Sequence, residues 1–524
     1  MRTPTRSSAR PPLGTAPLAP LPAVEELSSF LAGLRARGQV EVREDGALLA
    51  GLVNPEHEVR GQSGRLVLHL WSGDATLVRR IEAVLGQSEE GIEFAVQKFG
   101  TRRPGRLELR SRDVPLDPGR VTREQFRPRF RELLAGQFPD EEVLSLTASP
   151  DLKRSLSGNY ARGVQARGRE AWAIVGVPPT ESAASTDAAL ACGLLWLVRA
   201  RELNPRKRVA GLRLFLPEGS SAVTRHRMQA LGRDLLLELY ECDWSHGRVN
   251  RVDPADGGNL DSRLVARREV ELLREEAMRA AHSVLPALLQ GLESEAGGRV
   301  DVVVVPGTRA VSWRFRGLEF ARYEAGVLSA VDEHGNAAAA AARPELISRR
   351  LNELRAFRRP EGPDAHHPLY RAQAERWLES LIAGDPARID PRLDSRFLYA
   401  QVPAFSFTDR AVLDLLGATR DGRLVVIELK ANEDLQLLPQ ALDYWLRVRW
   451  HREQGDLESL GYFAGLPLGE RPPLLYLVAP GLRFHPATET LLRFVAPEVE
   501  VIRVGLNENW RQGVRVLFRQ ERQS

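Results

Sequence analysis

The sequence predicts a multi-module α/β protein, on three observations. Its 524 residues exceed what one hydrophobic core organises. Apolar spacing switches repeatedly between the period of two that marks strands and the 3.6 that marks helices. One element order, α-β-β-β-α-β-α-β, runs through the chain twice, over residues 120–250 and again over 369–520.

Residues 1–22 break every apolar run with Pro and read as a disordered tail without a secretory h-region. A small α+β domain over 23–115 follows, with a helix at Val24–Ala36, strands at Val40–Val42 and Arg65–Leu70, and a helix near Ala75–Leu85. In the first copy of the repeat the helices are Phe126–Leu134, Ala188–Leu203 and Val223–Leu231. Its strands are Val143–Leu146, Tyr160–Ala166, Ala171–Val177, Val209–Leu216 and Leu235–Glu241. A connecting region over 255–357 holds helices Leu264–Leu289 and Pro344–Phe357 around strands Val300–Val305, Val311–Tyr323 and Val327–Val331. Arg358-Arg359-Pro360-Glu361-Gly362-Pro363 opens a breaker-rich linker, 358–368. The second copy has helices Tyr370–Ile382, Leu438–Arg452 and Ala487–Phe494. Its strands are Phe397–Val402, Ala411–Thr419, Arg423–Leu429, Leu474–Val478, Val499–Leu506 and Val514–Arg519.

A hydrophobic fraction of 43% with 27% charged residues is that of an ordinary soluble protein, and no apolar run reaches the roughly 20 residues of a membrane span. Cys192 and Cys242 lack metal-ligand spacing, which fits two buried thiols in a reducing, cytoplasmic compartment. A net charge of +4 neither requires nor excludes nucleic acid. The basic residues are more telling: only Lys98, Lys153, Lys207 and Lys430 are lysines, and the other 69 are arginines. A Lys retained in so Arg-biased a chain marks a position where a guanidinium does not serve.

One such Lys closes the strand Leu424-Val425-Val426-Ile427-Glu428-Leu429-Lys430. Alternation places Glu428 and Lys430 on one face and turns Ile427 and Leu429 into the core. Asp414 lies on the preceding strand, joined through Arg420-Asp421-Gly422. A three-residue loop there pairs Thr419 with Arg423 and sets Asp414 opposite Glu428; a two-residue loop would pair it with Leu429. Two carboxylates about 5 Å apart on one face invite a hard divalent cation. Upstream, Glu375 sits one helical turn from a buried stripe, with Glu379 as the competing acid. Downstream, Gln440, Tyr444, Arg447 and His451 line one helix face, as suits a phosphate backbone. His366-His367 are rejected as metal ligands, since adjacent histidines do not readily share one ion.

Asp414, Glu428-Leu429-Lys430 and Gln440-Ala-Leu-Asp-Tyr444 together resemble the PD-(D/E)XK, or restriction-endonuclease-like, nucleases, in their branch similar to RecB and the archaeal mismatch endonucleases. The resemblance covers about 150 residues from Tyr370 onward, with Leu413 where Pro is nominal. It implies α/β/α layers around a mixed sheet and an Mg²⁺- or Mn²⁺-dependent deoxyribonuclease of repair or structure-specific type. Asp414, Glu428 and the Leu429 carbonyl would be metal ligands, and Lys430 would orient or activate water. It further implies Glu375 as an active-site member, taken over Glu379, and Gln440, Tyr444 and Arg447 as substrate-positioning residues. The partner expected is nucleic acid, DNA before RNA, with no membrane, and a homodimer is compatible with it. The alternative class is a non-catalytic nucleic-acid-binding or scaffold protein that keeps the fold. Laying Arg162–Gly176 against Asp414–Glu428 without gaps puts Arg162, Gly176 and Pro178 at the positions of Asp414, Glu428 and Lys430, so the first copy reads as degenerate.

Overall fold

The computed structural model of the chain describes residues 23–522 apart from connecting segments, the longest being 113–122, 254–263, 285–298, 333–343 and 404–411; the tail read at 1–22 lies outside the described residues. It is mixed α/β, with four sheets among those residues. The chain divides into two compact units, one within 1–130 and 177–186, the other within 131–176 and 187–524.

In the first unit, helix α1 (Val24–Arg37) precedes seven antiparallel strands: β1 (Gln39–Glu44), β2 (Ala47–Leu48), β3 (Glu56–Gln62), β4 (Arg65–Ser72), β5 (Ala75–Ser88), β6 (Gly91–Gln97) and β7 (Pro104–Arg112). Their spatial order is β2-β1-β7-β6-β5-β4-β3. Leu27, Leu31 and Leu34 form a single helical stripe that joins Val42, Leu68, Phe94 and Leu107 in the core. The helix expected near Ala75–Leu85 is the long strand β5, paired with β4 through Leu70↔Leu77 and with β6 through Ala83↔Ala95. Leu77 and Ile81 satisfy the helical spacing i, i+4 and the strand spacing alike. Buried Ala83 continues the alternation, and strands on both sides decide the outcome.

The second unit carries three sheets. Its first contains β8 (Glu142–Thr147), β9 (Ala161–Arg167), β10 (Glu170–Gly176), β11 (Arg208–Pro217), β12 (Leu236–Asp243) and β13 (Arg248–Val252). Helix α2 (Arg123–Gln137) precedes these strands, α3 (Ala189–Leu203) joins β10 to β11, and α4 (Ala222–Met228) joins β11 to β12. The helical run Ala183–Leu203 is long and apolar enough to cross a membrane by composition, longer than its sequence suggested. Its apolar window is 72% buried, and α3 packs on β10 and β11 as a core helix does.

Next, helices α5 (Arg267–Val284) and α6 (Pro344–Phe357) cover an antiparallel meander of β14 (Val300–Val304), β15 (Val311–Phe315), β16 (Leu318–Glu324) and β17 (Val327–Ala330). The single strand expected over 311–323 folds back at Arg316-Gly317 into β15 and β16. Gly317 has φ +84°, and a Cβ there would lie 2.6 Å from the Arg376 backbone, so only glycine suits the turn. Arg358, read as the start of a linker, is fully buried. Its guanidinium donates to the carbonyls of Arg316, Leu369 and Ala372 and stacks on Trp377, 4.6 Å from the ring centroid. Arg358→Met strips three part-buried carbonyls of their donor, so urea titration is expected to show a loss of about 3 kcal/mol. Lys, without the planar fork, is not expected to restore it.

The last sheet holds β18 (Leu393–Pro403), β19 (Val412–Thr419), β20 (Leu424–Leu429), β21 (Leu474–Pro480), β22 (Val501–Leu506) and β23 (Val516–Glu521). Helices α7 (Ala374–Gly384), α8 (Leu437–Glu453) and α9 (Thr488–Leu492) accompany it. Both six-stranded sheets run edge to edge in sequence order. Successive pairs in both are antiparallel, antiparallel, parallel, parallel and antiparallel. The crossover helices fall at the same places, α3 with α8 and α4 with α9, and the repeat gains a sixth strand in its first copy, β13. Trp377 and Leu378 of α7 pack on Leu415, Val425, Ile427 and Leu429, which places the odd-numbered face of β20 in this core.

Candidate active site

The hairpin β19–β20 builds the site. Thr419 N–H donates to Arg423 O at 2.8 Å, so the turn Arg420-Asp421-Gly422 has three residues. Gly422 supplies φ +84°, and a Cβ there would lie 2.0 Å from the Pro467 carbonyl oxygen. The ladder pairs Ala418 with Leu424 and ends at Leu415↔Ile427; one step further, this register brings Asp414 opposite Glu428. Beyond the last backbone pair, the Asp414 carboxylate accepts the Leu429 N–H at 2.9 Å.

Glu428 is 2% exposed, and its Oε2 has no hydrogen-bond partner among the described residues. Lys430 Nζ stands 3.4 Å from Glu428 Oε1, 3.8 Å from Glu375 and 3.7 Å from Asp434. Burial pushes the Asp414 carboxyl up to about 6, with the Glu375 charge adding and the Leu429 N–H and Lys430 opposing. The Glu428 carboxyl is raised well above the usual range by burial and then by the charge of Asp414. Burial disfavours the Lys430 charge, but Glu428, Glu375, Asp414 and Asp434 together hold its ammonium above the ordinary lysine range. A lysine poised to lose its proton is therefore not what this arrangement produces; Lys430 is a fixed cation among acids.

Both acids of α7 come near the site, in different ways. Glu375, with its side chain 46% exposed, reaches Lys430. Glu379 is buried, accepts from Gln401 Nε2 at 2.7 Å, and is pushed up to about 8 by burial and by the charge of Asp414. Gln401 in turn accepts from Arg376 at 2.6 Å. A carboxyl whose folded pKa lies above its unfolded value favours the fold below about pH 4.5 and loses that contribution as pH rises through about 8. At roughly 1.4 kcal/mol per pKa unit, Glu379→Gln should raise stability by a few kcal/mol at pH 8 and do little at pH 4, as read by thermal melts across pH.

The helix stripe divides. Burial raises the Tyr444 hydroxyl pKa, with Glu428 and Asp414 adding, so this phenol keeps its proton beside the carboxylates. Gln440 is half-buried one turn before it. Arg447 does not line the site: it is 5% exposed and lies 3.5 Å from Asp443, which also receives His226 of α4 at 3.2 Å. His451 is likewise turned inward, 2.7 Å from Asp456. Helix α4 packs on α8, with His226 on Asp443, and Arg447 turns to that same carboxylate.

Sequence reasoning missed Asp434, four residues after Lys430, and the set of Gln401, Arg376 and Arg314, the last 3.4 Å from Gln401. Asp434 lies in the non-helical segment between β20 and α8, where no periodicity marks it. Among the described residues, no group of three or more His, Cys, Asp or Glu stands as a ready metal cage. Asp414 and Glu428 face each other, and Glu375 and Asp434 stand with Glu428 about Lys430. Comparison of the chain with protein-family models, curated proteins and solved structures finds no match.

Proposed function

We propose that residues 369–520 form a restriction-endonuclease-like domain that hydrolyses phosphodiester bonds of nucleic acid, DNA first, with a divalent cation. The observation that carries this is the pairing of Asp414 with buried, partly unpartnered Glu428 across a hairpin, with Lys430 alongside. The hairpin β19–β20 that carries the pair feeds a parallel crossover through α8 to β21.

The residues fit Mg²⁺ or Mn²⁺. Asp414 and Glu428 supply hard oxygens, burial and the charge of Asp414 disfavour the ionised Glu428, and the Leu429 carbonyl adjoins Glu428 in sequence. When bound, such an ion supplies Lewis-acid stabilisation of charge at the phosphate and a nucleophilic water at neutral pH. Lys430 holds a positive charge beside the attacked phosphate, donates to its oxygens and keeps the water oriented. Protonated Tyr444 donates a hydrogen bond from α8, and Glu375 holds Lys430 in place.

A non-catalytic nucleic-acid-binding or scaffold role draws on one observation, that Lys430 already sits among three carboxylates. One assay separates the two. Single-stranded, duplex and branched DNA and RNA are incubated with the full chain and Mg²⁺ or Mn²⁺. Metal-dependent cleavage lost in Asp414→Ala is expected; cleavage retained in that variant overturns the site, and no cleavage of any substrate favours the scaffold.

A further inference from the structure

The two six-stranded modules face each other about a near two-fold relation. Helix α4 of the first packs on α8 of the second, and α9, the counterpart of α4, packs on α3, the counterpart of α8. Between them Leu231, just past α4, bridges Val495, just past α9. Gly232 N–H donates to Phe494 O at 2.9 Å and Ala496 N–H to Ala230 O at 2.8 Å. Corresponding residues meeting each other is the mark of an isologous contact. The chain thus contains, within itself, the pairing that a symmetric dimer makes between copies.

The halves are not equivalent in chemistry. In the first copy the hairpin Gly168-Arg169 has two residues, pairing Arg167 with Glu170, so Arg162 faces Val175 rather than Gly176 as the ungapped comparison expected. Arg162 is 1% exposed, and its guanidinium donates to the carbonyls of Ser149 and Ser157 and lies 5.9 Å from the centroid of Trp196 on α3. A built-in cation thus stands where Asp414 stands in the other half, and its neighbour across the hairpin is apolar. The first copy instead supports the second: His226 holds Asp443, and the charge of Arg227 is felt at Tyr444.

We propose that the chain acts as an internal pseudo-dimer with one hydrolytic centre, cutting one strand of a duplex per encounter and leaving the other intact. The proposal rests on the nuclease function given above. Antiparallel strands of a duplex are related by two-fold axes, so a two-fold protein presents equivalent surfaces to both. Here only one surface carries the acid pair. In the step itself, the oxygen of water bonds to phosphorus and the bond from phosphorus to the leaving sugar oxygen breaks. One water proton passes to that oxygen and the other to solvent, with no co-reactant besides water.

Supercoiled plasmid in molar excess over the full chain, with Mn²⁺, tests this, alongside single-stranded DNA and RNA. The expected result is loss of the supercoiled form into nicked circle, with linear plasmid absent until nicks accumulate. Linear plasmid rising together with nicked circle from the first turnovers overturns the single-centre proposal and leaves the nuclease function standing. So does cleavage of single-stranded DNA or RNA with the plasmid untouched. Failure to cut any of them removes the nuclease function, and this proposal with it.

Discussion

Glu428→Gln is expected to abolish cleavage while making the metal-free protein more stable. The substitution keeps shape and removes a charge that burial and Asp414 both disfavour. Because the folded carboxyl is raised above its unfolded value, its ionised form costs stability at pH 8, and the amide relieves that cost. A gain on the order of 2 kcal/mol is expected in denaturant titration at pH 8, shrinking towards pH 4. Activity moves the other way, because an amide cannot hold a hard cation as a carboxylate does; a loss of about 10³-fold or more in kcat is expected. Opposite signs in stability and activity distinguish a strained functional acid from a structural one. Loss of both together would assign Glu428 a packing role.

The second large effect falls on Lys430. Three carboxylates stand within 3.8 Å of its ammonium, so Lys430→Met leaves them repelling one another. A destabilisation of about 3 kcal/mol at pH 8 is expected, the scale for breaking a buried pair from one side. Cleavage should fall roughly 10²- to 10³-fold as the donor beside the phosphate is lost. Lys430→Arg should recover stability more than activity. A guanidinium still balances the acids, but its planar fork cannot replace a compact ammonium at 3.4 Å from Glu428. Equal recovery of both by Arg would show that Lys430 supplies charge alone.

What could be read in the sequence, and what could not, follows from how far each feature depends on distant partners. The register of Asp414 with Glu428 was legible because a three-residue turn with a positive-φ Gly422 fixes it locally. The element order of both copies was legible because strands and helices alternate with clear periods, and the sheets then share one topology. Arg447 was not legible. Its helical spacing from Gln440 and Tyr444 suits a substrate face, but His226, 217 residues before Asp443, brings α4 against that stretch of α8. Strand β5 was misread because Leu77 and Ile81 fit two periods, and only the neighbouring strands choose between them. The Gly176 assignment failed for a local reason: the turn at Gly168 is one residue shorter than its counterpart, and a one-residue change shifts every facing pair. The burial of Arg358 has no local signature, since its three carbonyl acceptors come from Arg316, Leu369 and Ala372.

The most direct measurement is the anomalous scattering of crystals of the full chain soaked in Mn²⁺. The site predicts one peak, within about 2.2 Å of a carboxylate oxygen of Asp414 and one of Glu428, and none beside Arg162. A chain that cuts nucleic acid but shows its ion elsewhere, with that pair bare, would contradict it.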